Sequence, residues 1–398
     1  MRSGPGALAT GADLLDNPVR PYAWGSTTEI PRLLGVEPTG RPQAELWMGA
    51  HPAAPSRLRT GGSLLRRIEA DPAAELSGPV LRRFGPRLPF LLKIIAAERP
   101  LSLQAHPGRE QARAGYADEQ ARGVPLDSPE RSYVDPHHKP ELVCALTPFE
   151  ALCGFRAIPQ TLELLSGLDT PVLGKYVAAL RARPDRDGLR EVVTGLLTVP
   201  ADRRKRLVDS VVAACAADPS TPELRTAVEL GEAYPGDPGV IIALLLNRLR
   251  LAPGEAMFLA AGNMHCYLRG TAVEVLANSD NVLRGGLTPK HVDVPELLRV
   301  VDVTDGPPPV LVPTPAGPGR LDYTPPVPDF RLESYGLGGA VPLDATGPRI
   351  ALTVEGEAVL RAGGSTLTLP RGASAWLPAG LAATVEGSGR LLVATTNL

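Results

Sequence analysis

The spacing of apolar residues changes twice along this chain, and that change most restricts what it can fold into. From Pro18 to Phe155 the sequence falls into short runs suited to strands, interrupted by turns. After Pro159 apolar residues recur every three or four positions through Thr161–Leu168, Val172–Arg183, Asp187–Leu197, Ala201–Ala217 and Pro222–Tyr234, with Pro, Gly and Asp breaks between them. In the longest, Val211, Val212, Cys215 and Ala216 fall on one stripe. Gly239–Leu249 reads as a last apolar helix, and alternation returns at Gly254. Short runs such as Ile350–Val354, Ala358–Arg361, Ser365–Leu369, Ala373–Leu377 and Leu391–Thr395, with Gly-rich turns, suggest a small antiparallel barrel or jelly roll. The expected fold is mainly β with an α-helical insert, and two β-rich regions of similar texture bracket the helices.

This order divides the 398 residues into 1–158 with 251–303, an inserted helical part over 159–250, and a C-terminal β-barrel over 304–398. The Pro-rich stretch Thr304–Pro328 is expected to link the last two. Shorter helices are expected over Leu64–Glu75, Glu110–Arg122 and Pro295–Val300.

Net charge is −2, which offers no general field for nucleic acid or an anionic membrane. No stretch approaches the roughly 20 apolar residues of a membrane span. Met1–Ala12 lacks the basic flank and apolar core of a secretion signal. Cysteines 144, 153, 215 and 266 form no CxxC pair, as expected of a reduced, cytoplasmic protein.

The chemistry begins at Leu101–Pro107. On an extended strand Gln104 and His106 share one face, while Leu103 and Ala105 face the other. Pro107 marks where that strand leaves its sheet. Gln-x-His alone more readily describes a polar strand face with a hydrogen-bonded histidine. In His137-His138-Lys139-Pro140-Glu141, proline biases Lys139 to extended geometry, so Lys139 and Glu141 share a face. Gly262-Asn263-Met264-His265 stands at another strand entrance. Gln104, His106, Glu141 and His265 together supply two imidazoles, a carboxylate and an amide oxygen. Such a set without thiolates suits a catalytic zinc with open positions, and also Mn, Co or Fe. A fourth stretch, Gly270–Lys290, mixes acids and bases around flexible glycines, which is also the texture of a solvated loop.

Leu101–Pro107 (LSLQAHP), His138–Glu141 (HKPE), Gly262–His265 (GNMH) and Asp280–Lys290 (DNVLRGGLTPK) resemble the type I mannose-6-phosphate isomerases. Tyr22–Ser26 (YAWGS) and Glu45–His51 (ELWMGAH) fit the same resemblance, in the same order along the chain. It implies a cupin-type jelly-roll enzyme, which with the two β-rich regions makes two such barrels, and a zinc-dependent interconversion of mannose 6-phosphate and fructose 6-phosphate through a cis-enediol. One zinc ion per chain would sit on Gln104, His106, Glu141 and His265, with Arg284 as the active-site arginine. Cys266 departs from the small residue usual after the ligand histidine. The helical block and C-terminal barrel carry no matching motif, and the barrel is expected to be catalytically silent.

An aldose–ketose isomerase must move a carbon-bound proton and stabilise an oxyanion. Arg284 would add a charged fork to the oxyanion or the phosphate. Lys139, Glu274 and Asp280 are all candidates for the proton carrier. For the phosphate the candidates are Ser102, on the face of Gln104, Lys93, alone in an apolar strand, and the weaker Lys290. A buried lysine needs a partner, either a substrate anion or a structural carboxylate. Trp24 and Trp47 suit a pocket wall or plain packing. His51, His137 and His291 read as ordinary polar residues. The expected partner is a small phosphorylated sugar, with no nucleic acid or membrane, and a monomer is the expected state. A non-enzymatic sugar-sensing cupin would not need Lys93, Lys139 and Arg284 around a metal. An oxygen-using iron cupin would not need Gln104 or the phosphate candidates.

Overall fold

The computed structural model describes residues 11–398, so the reading of Met1–Ala12 lies almost wholly outside the described residues. Over the described residues the protein is mainly β, with an 11-stranded sheet assembly, a 10-stranded sheet and a helical part. Among the described residues no helix is long and apolar enough to cross a membrane.

One strand, His265–Ala277, organises the first assembly. Its C-terminal half lies between Phe90–Ala97 and Glu141–Ala145, pairing Glu274 with Lys93 on one side and with Val143 on the other. Its N-terminal end pairs with Leu103–Ala105 and Phe149–Phe155 instead. The change of partners occurs around Gly270, at φ +117°. A Cβ there would lie 2.5 Å from the Pro148 carbonyl oxygen, so the bend requires glycine. Phe90–Ala97 is buried at all eight positions, which explains its near-continuous apolar text. Leu103 and Ala105 are fully buried while Gln104 between them is half-exposed, the alternation expected of a strand.

The helical part runs through Ile158–Ser166, Gly174–Ala182, Arg186–Leu197, Ala201–Ala217, Pro222–Ala233 and Gly239–Ala243. Asp185 caps Arg186–Leu197 by accepting from the amides of Asp187 and Gly188. Leu189, Val192, Val193 and Leu196 of that helix are all at most 1% exposed. Each such burial contributes about 1.5–3 kcal/mol, which is what holds helices of this length. Val211 and Cys215 are buried as the stripe requires, but Ala216 is exposed, because the stripe turns away from its neighbours there.

Two expectations are corrected. The helix expected over Gly239–Leu249 stops at Ala243, and Leu246–Leu251 is a strand paired with Phe149–Phe155. The run is apolar without a helical period, and the open sheet edge decides its conformation. Thr304–Pro328 is not a plain linker. Val310–Leu311 pairs with Ala256–Leu259, and the hairpin Thr314–Gly317/Arg320–Tyr323 extends the second sheet. Its prolines are tolerated because these are short edge pairings.

The second sheet is built on Arg349–Ala362 and Ala383–Thr395, paired along most of their length. It also takes strands from far upstream, so sheet membership crosses the divisions drawn from sequence. Asp13–Asp16 pairs with Ser374–Leu377 on one side and Arg57–Leu58 on the other. Glu75 ties this sheet to the short helices Leu64–Ala70 and Pro72–Glu75, accepting from the Trp376 indole at 2.6 Å and pairing with buried Arg67 at 2.9 Å.

Candidate metal centre and active site

Three strands bring the metal-capable residues together. His265 begins the long strand, directly opposite Gln104. His106 leaves the Leu103–Ala105 strand one residue on, and Glu141 begins the next strand of the assembly. His106 Nε2 lies 3.3 Å from Glu141 Oε1, and His265 Nε2 lies 3.4 Å from Glu141 Oε2. One ligand atom from each of the three falls within 4.8 Å of the others.

The outward ring nitrogens are held in place. His106 Nδ1 is 2.7 Å from the Asn281 carbonyl and His265 Nδ1 is 3.0 Å from the Asn263 carbonyl. Donation from both Nδ1–H groups leaves both Nε2 lone pairs facing inward, as metal-binding histidines require. His265 Nε2 is buried without a hydrogen-bond partner, a costly state for a protein to keep unless a ligand takes it. Burial, reinforced by the Lys139 charge, pushes His106 down to about 4, so it is neutral at neutral pH. Burial alone would raise Glu141, but Lys139 and the two histidines outweigh it and hold the carboxyl well below its ordinary range. A neutral, inward-facing nitrogen pair with an ionised carboxylate fits a divalent cation of the zinc type.

Above this floor opens a cavity of about 610 Å³. Trp24, Lys93, Ser102, Gln104, Lys139, Glu141, Glu274, Asp280, Arg284 and Lys290 all line it, so the sequence candidates converge on one place. His106 and His265 lie beneath, 2% and 0% exposed. Lys139 Nζ is 3.0 Å from Glu141 Oε1 and 3.5 Å from His106 Nε2. Lys93 Nζ lies 3.5 Å from Glu45 and 3.6 Å from Glu274, and 4.7 Å from the centre of the Trp47 ring. Burial opposes its charge, but Glu45 and Glu274 outweigh it and hold Lys93 above its ordinary value. Lys93 is therefore compensated by structural carboxylates. Burial and nearby Glu141, opposed by Lys93, push Glu274 up to about 7.

Arg284 and Lys290 differ from Lys93 and Lys139 in the same wall. Among the described residues neither makes an ion pair with a carboxylate. Burial lowers both, and for Lys290 the neighbouring Arg284 charge adds to the effect. Arg284 is opposite Gln104 across a strand pair, which puts it on the metal side of the cavity.

Sequence reasoning missed several residues. His51 Nε2 is 3.2 Å from Asp280 Oδ2. Burial would raise Asp280, but the His51 contact, with the charges of Lys139 and Lys93, outweighs it and keeps the carboxyl low. Tyr267 donates to Glu274 Oε1 at 2.6 Å and stands 3.3 Å from Glu141 Oε2. Arg20 lines the wall too, beside the wall candidate Trp47, as does Tyr234 from the helical part, a part to which the sequence assigned no catalytic residue. Of these only His51 lies in a motif the sequence flagged, Glu45–His51, and that motif does not announce its contact with Asp280. Cys266 is buried beside the Leu101 carbonyl at 3.0 Å, and burial pushes its thiol up, so it fills space without reacting.

Residues 14–158 match the family model "Phosphomannose isomerase type I, catalytic domain". The chain is 42% identical to mannose-6-phosphate isomerase of Escherichia coli K12 over 387 residues, covering 95% of this chain and 97% of that one. It is 34% identical to the Homo sapiens enzyme of that name over 354 residues, covering 81% of each. Among solved structures, mannose 6-phosphate isomerase from Salmonella typhimurium, bound to its substrate fructose 6-phosphate and to zinc, superposes with a TM-score of 0.91. That match has 40% identity and covers 98% of this chain and 100% of the other. With this identity along nearly the whole length, the chain belongs to the type I phosphomannose isomerase family.

Proposed function

We propose that this chain is a zinc-dependent aldose–ketose isomerase that interconverts mannose 6-phosphate and fructose 6-phosphate. The observation that carries this reading is the convergence of two imidazole Nε2 atoms and one carboxylate beneath a cavity that also presents carboxylate-free cations. Gln104, His106, Glu141 and His265 would hold the ion. When bound, zinc polarises a sugar oxygen as a Lewis acid, a contribution of several kcal/mol.

The remaining work falls to this chain's own side chains. Moving a proton between C1 and C2 through a cis-enediol needs a carrier that reaches the substrate carbon. Lys139 and Glu274 are only 9% and 4% exposed and are held in ion pairs, whereas the Asp280 side chain is 48% exposed and lines the cavity. Asp280 takes the proton, kept ionised by His51. Lys139 supplies a fixed positive charge beside the metal floor. Arg284 directs its fork at the oxygen that gains charge as the enediol forms. Lys290, farther along the same loop, and Ser102 receive the phosphate, and Trp24 forms an apolar wall for the sugar. Lys93 steadies Glu45 and Glu274.

The strands of 1–158 with 251–303 and those of 304–398 are read as two cupin-type jelly rolls, with 159–250 inserted into the first. Four unpaired, buried cysteines accord with a reducing compartment, and the cytoplasm and a monomeric state are proposed. The experiment is turnover of mannose 6-phosphate before and after chelation. Loss on chelation and recovery on adding zinc are expected; full turnover by metal-free protein would overturn the reading.

A further inference from the structure

The loop that carries Arg284 and Lys290 is not held by its own sheet alone. It also leans on the turn between the helices Pro222–Ala233 and Gly239–Ala243 of the helical part. Asp237, in that turn, accepts from the Gly239 amide through Oδ1 at 2.7 Å and from the Thr288 amide through Oδ2 at 3.2 Å. One carboxylate thus stitches the start of a helix to the loop. The backbones meet closely at the same point. A Cβ on Gly286 would lie 2.8 Å from Asp237 Oδ1 and 2.9 Å from the Gly239 Cα. Next to it, Leu287 is buried at φ +54°, a conformation that a non-glycine side chain keeps only when its surroundings impose it. On the active-site side, Tyr234 from the same turn donates to the Pro100 carbonyl at 2.9 Å and lines the cavity.

We propose that Asp237 is a positioning residue for the isomerase reaction. Its two-amide clasp fixes the 284–288 backbone in the strained course that turns the Arg284 fork toward the metal floor. The helical part thereby contributes to the active site without touching substrate through Asp237. This rests on the role given to Arg284 above. Each of Asp237's two accepting oxygens serves a different amide, so Asp237→Asn must present an NH₂ group to one of them. It keeps size and shape while breaking one half of the clasp.

The test combines kinetics with hydrogen exchange on the zinc-loaded enzyme. Asp237→Asn should lower kcat/KM for mannose 6-phosphate about 10-fold or more, chiefly through kcat, since small misplacements of a reacting group are costly. Zinc content should be unchanged, and exchange in the peptide spanning 284–292 should speed up. In an Arg284→Ala background the same change should cost almost nothing further, because the group it positions is gone. An undiminished loss in that background, or wild-type kinetics for Asp237→Asn alone, would overturn the proposal. If Arg284→Ala itself turned over normally, the role of Arg284 would fall. The clasp is judged separately in the unmodified enzyme, where unprotected exchange over 284–292 would refute it even if the variant did not fold.

Discussion

Gln104 and His265 stand directly opposite each other across an antiparallel strand pair. Two proposed ligands are therefore set by sheet register, and a one-residue slip would turn both side chains away. His106 and Glu141 follow from neighbouring strand ends, so strand pairing places all four. His265→Ala should lose most bound zinc as measured by elemental analysis, with turnover falling in proportion. Full occupancy in that variant would remove His265 from the ligand set.

Asp280 and His51 yield a pH prediction. Asp280 is held below the ordinary carboxyl value, so as a base it stays ionised until the pH falls below the range in which a free aspartate protonates. The acid limb of kcat/KM due to Asp280 should therefore lie low, and His51→Ala should move it to higher pH. Asp280→Asn should lower kcat by roughly 10²–10⁴, the usual contribution of a general base, while retaining zinc. An unshifted acid limb in His51→Ala would separate the two residues functionally.

Arg284 and Lys290 should divide their effects. Arg284→Ala is expected to lower kcat by roughly 10²–10³ with a smaller change in KM, as for one preorganised donor. Lysine at 284 should not restore it, because the bidentate fork is lost. Lys290→Ala should raise KM for the phosphorylated sugar and leave kcat nearly intact. A KM effect alone at Arg284 would make it a phosphate clamp.

For Lys93 the two ion pairs point to an effect on stability. Removing it leaves Glu45 and Glu274 as buried carboxylates without their shared cation. Lys93→Met should destabilise the fold by about 3–5 kcal/mol, the cost of breaking a buried pair from one side. The measurement is the denaturant midpoint. Adding Glu274→Gln should recover part of the loss, and a midpoint unchanged by Lys93→Met would show that the carboxylates find other partners.

The candidate site was legible because its proposed ligands lie within short stretches whose chemistry is local: Gln-x-His on a strand, Lys-Pro-Glu before one, and a histidine after a turn. His51 and Tyr267 were not, since nothing near them in sequence announces Asp280 or Glu274, which pairing brings in from elsewhere. Helices with caps and stripes, such as Arg186–Leu197, were readable from their own residues. Leu246–Leu251 and the hairpin at Thr314–Tyr323 were not, because each is a strand only by virtue of an edge supplied by distant chain. Lys93 shows the same limit: the sequence demanded a partner for it, and only the fold could say that two carboxylates take that place.

The pairing of Asp13–Asp16 with Ser374–Leu377 has a consequence for how the molecule comes into being. Asn17 donates to the Ser374 hydroxyl across 357 positions of chain. On a ribosome adding 5–20 residues per second, that early strand waits roughly 20–70 s for its partner to be made. Until then the strands that carry the proposed ligands can pair, but the seam at Trp376 and Glu75 stays open. The C-terminal sheet, which holds none of the proposed ligands, thus acts as the last stitch in biosynthesis. A chain that stalls before Ser374 would leave an unpaired strand edge and exposed apolar surface, the kind of species that chaperones retain.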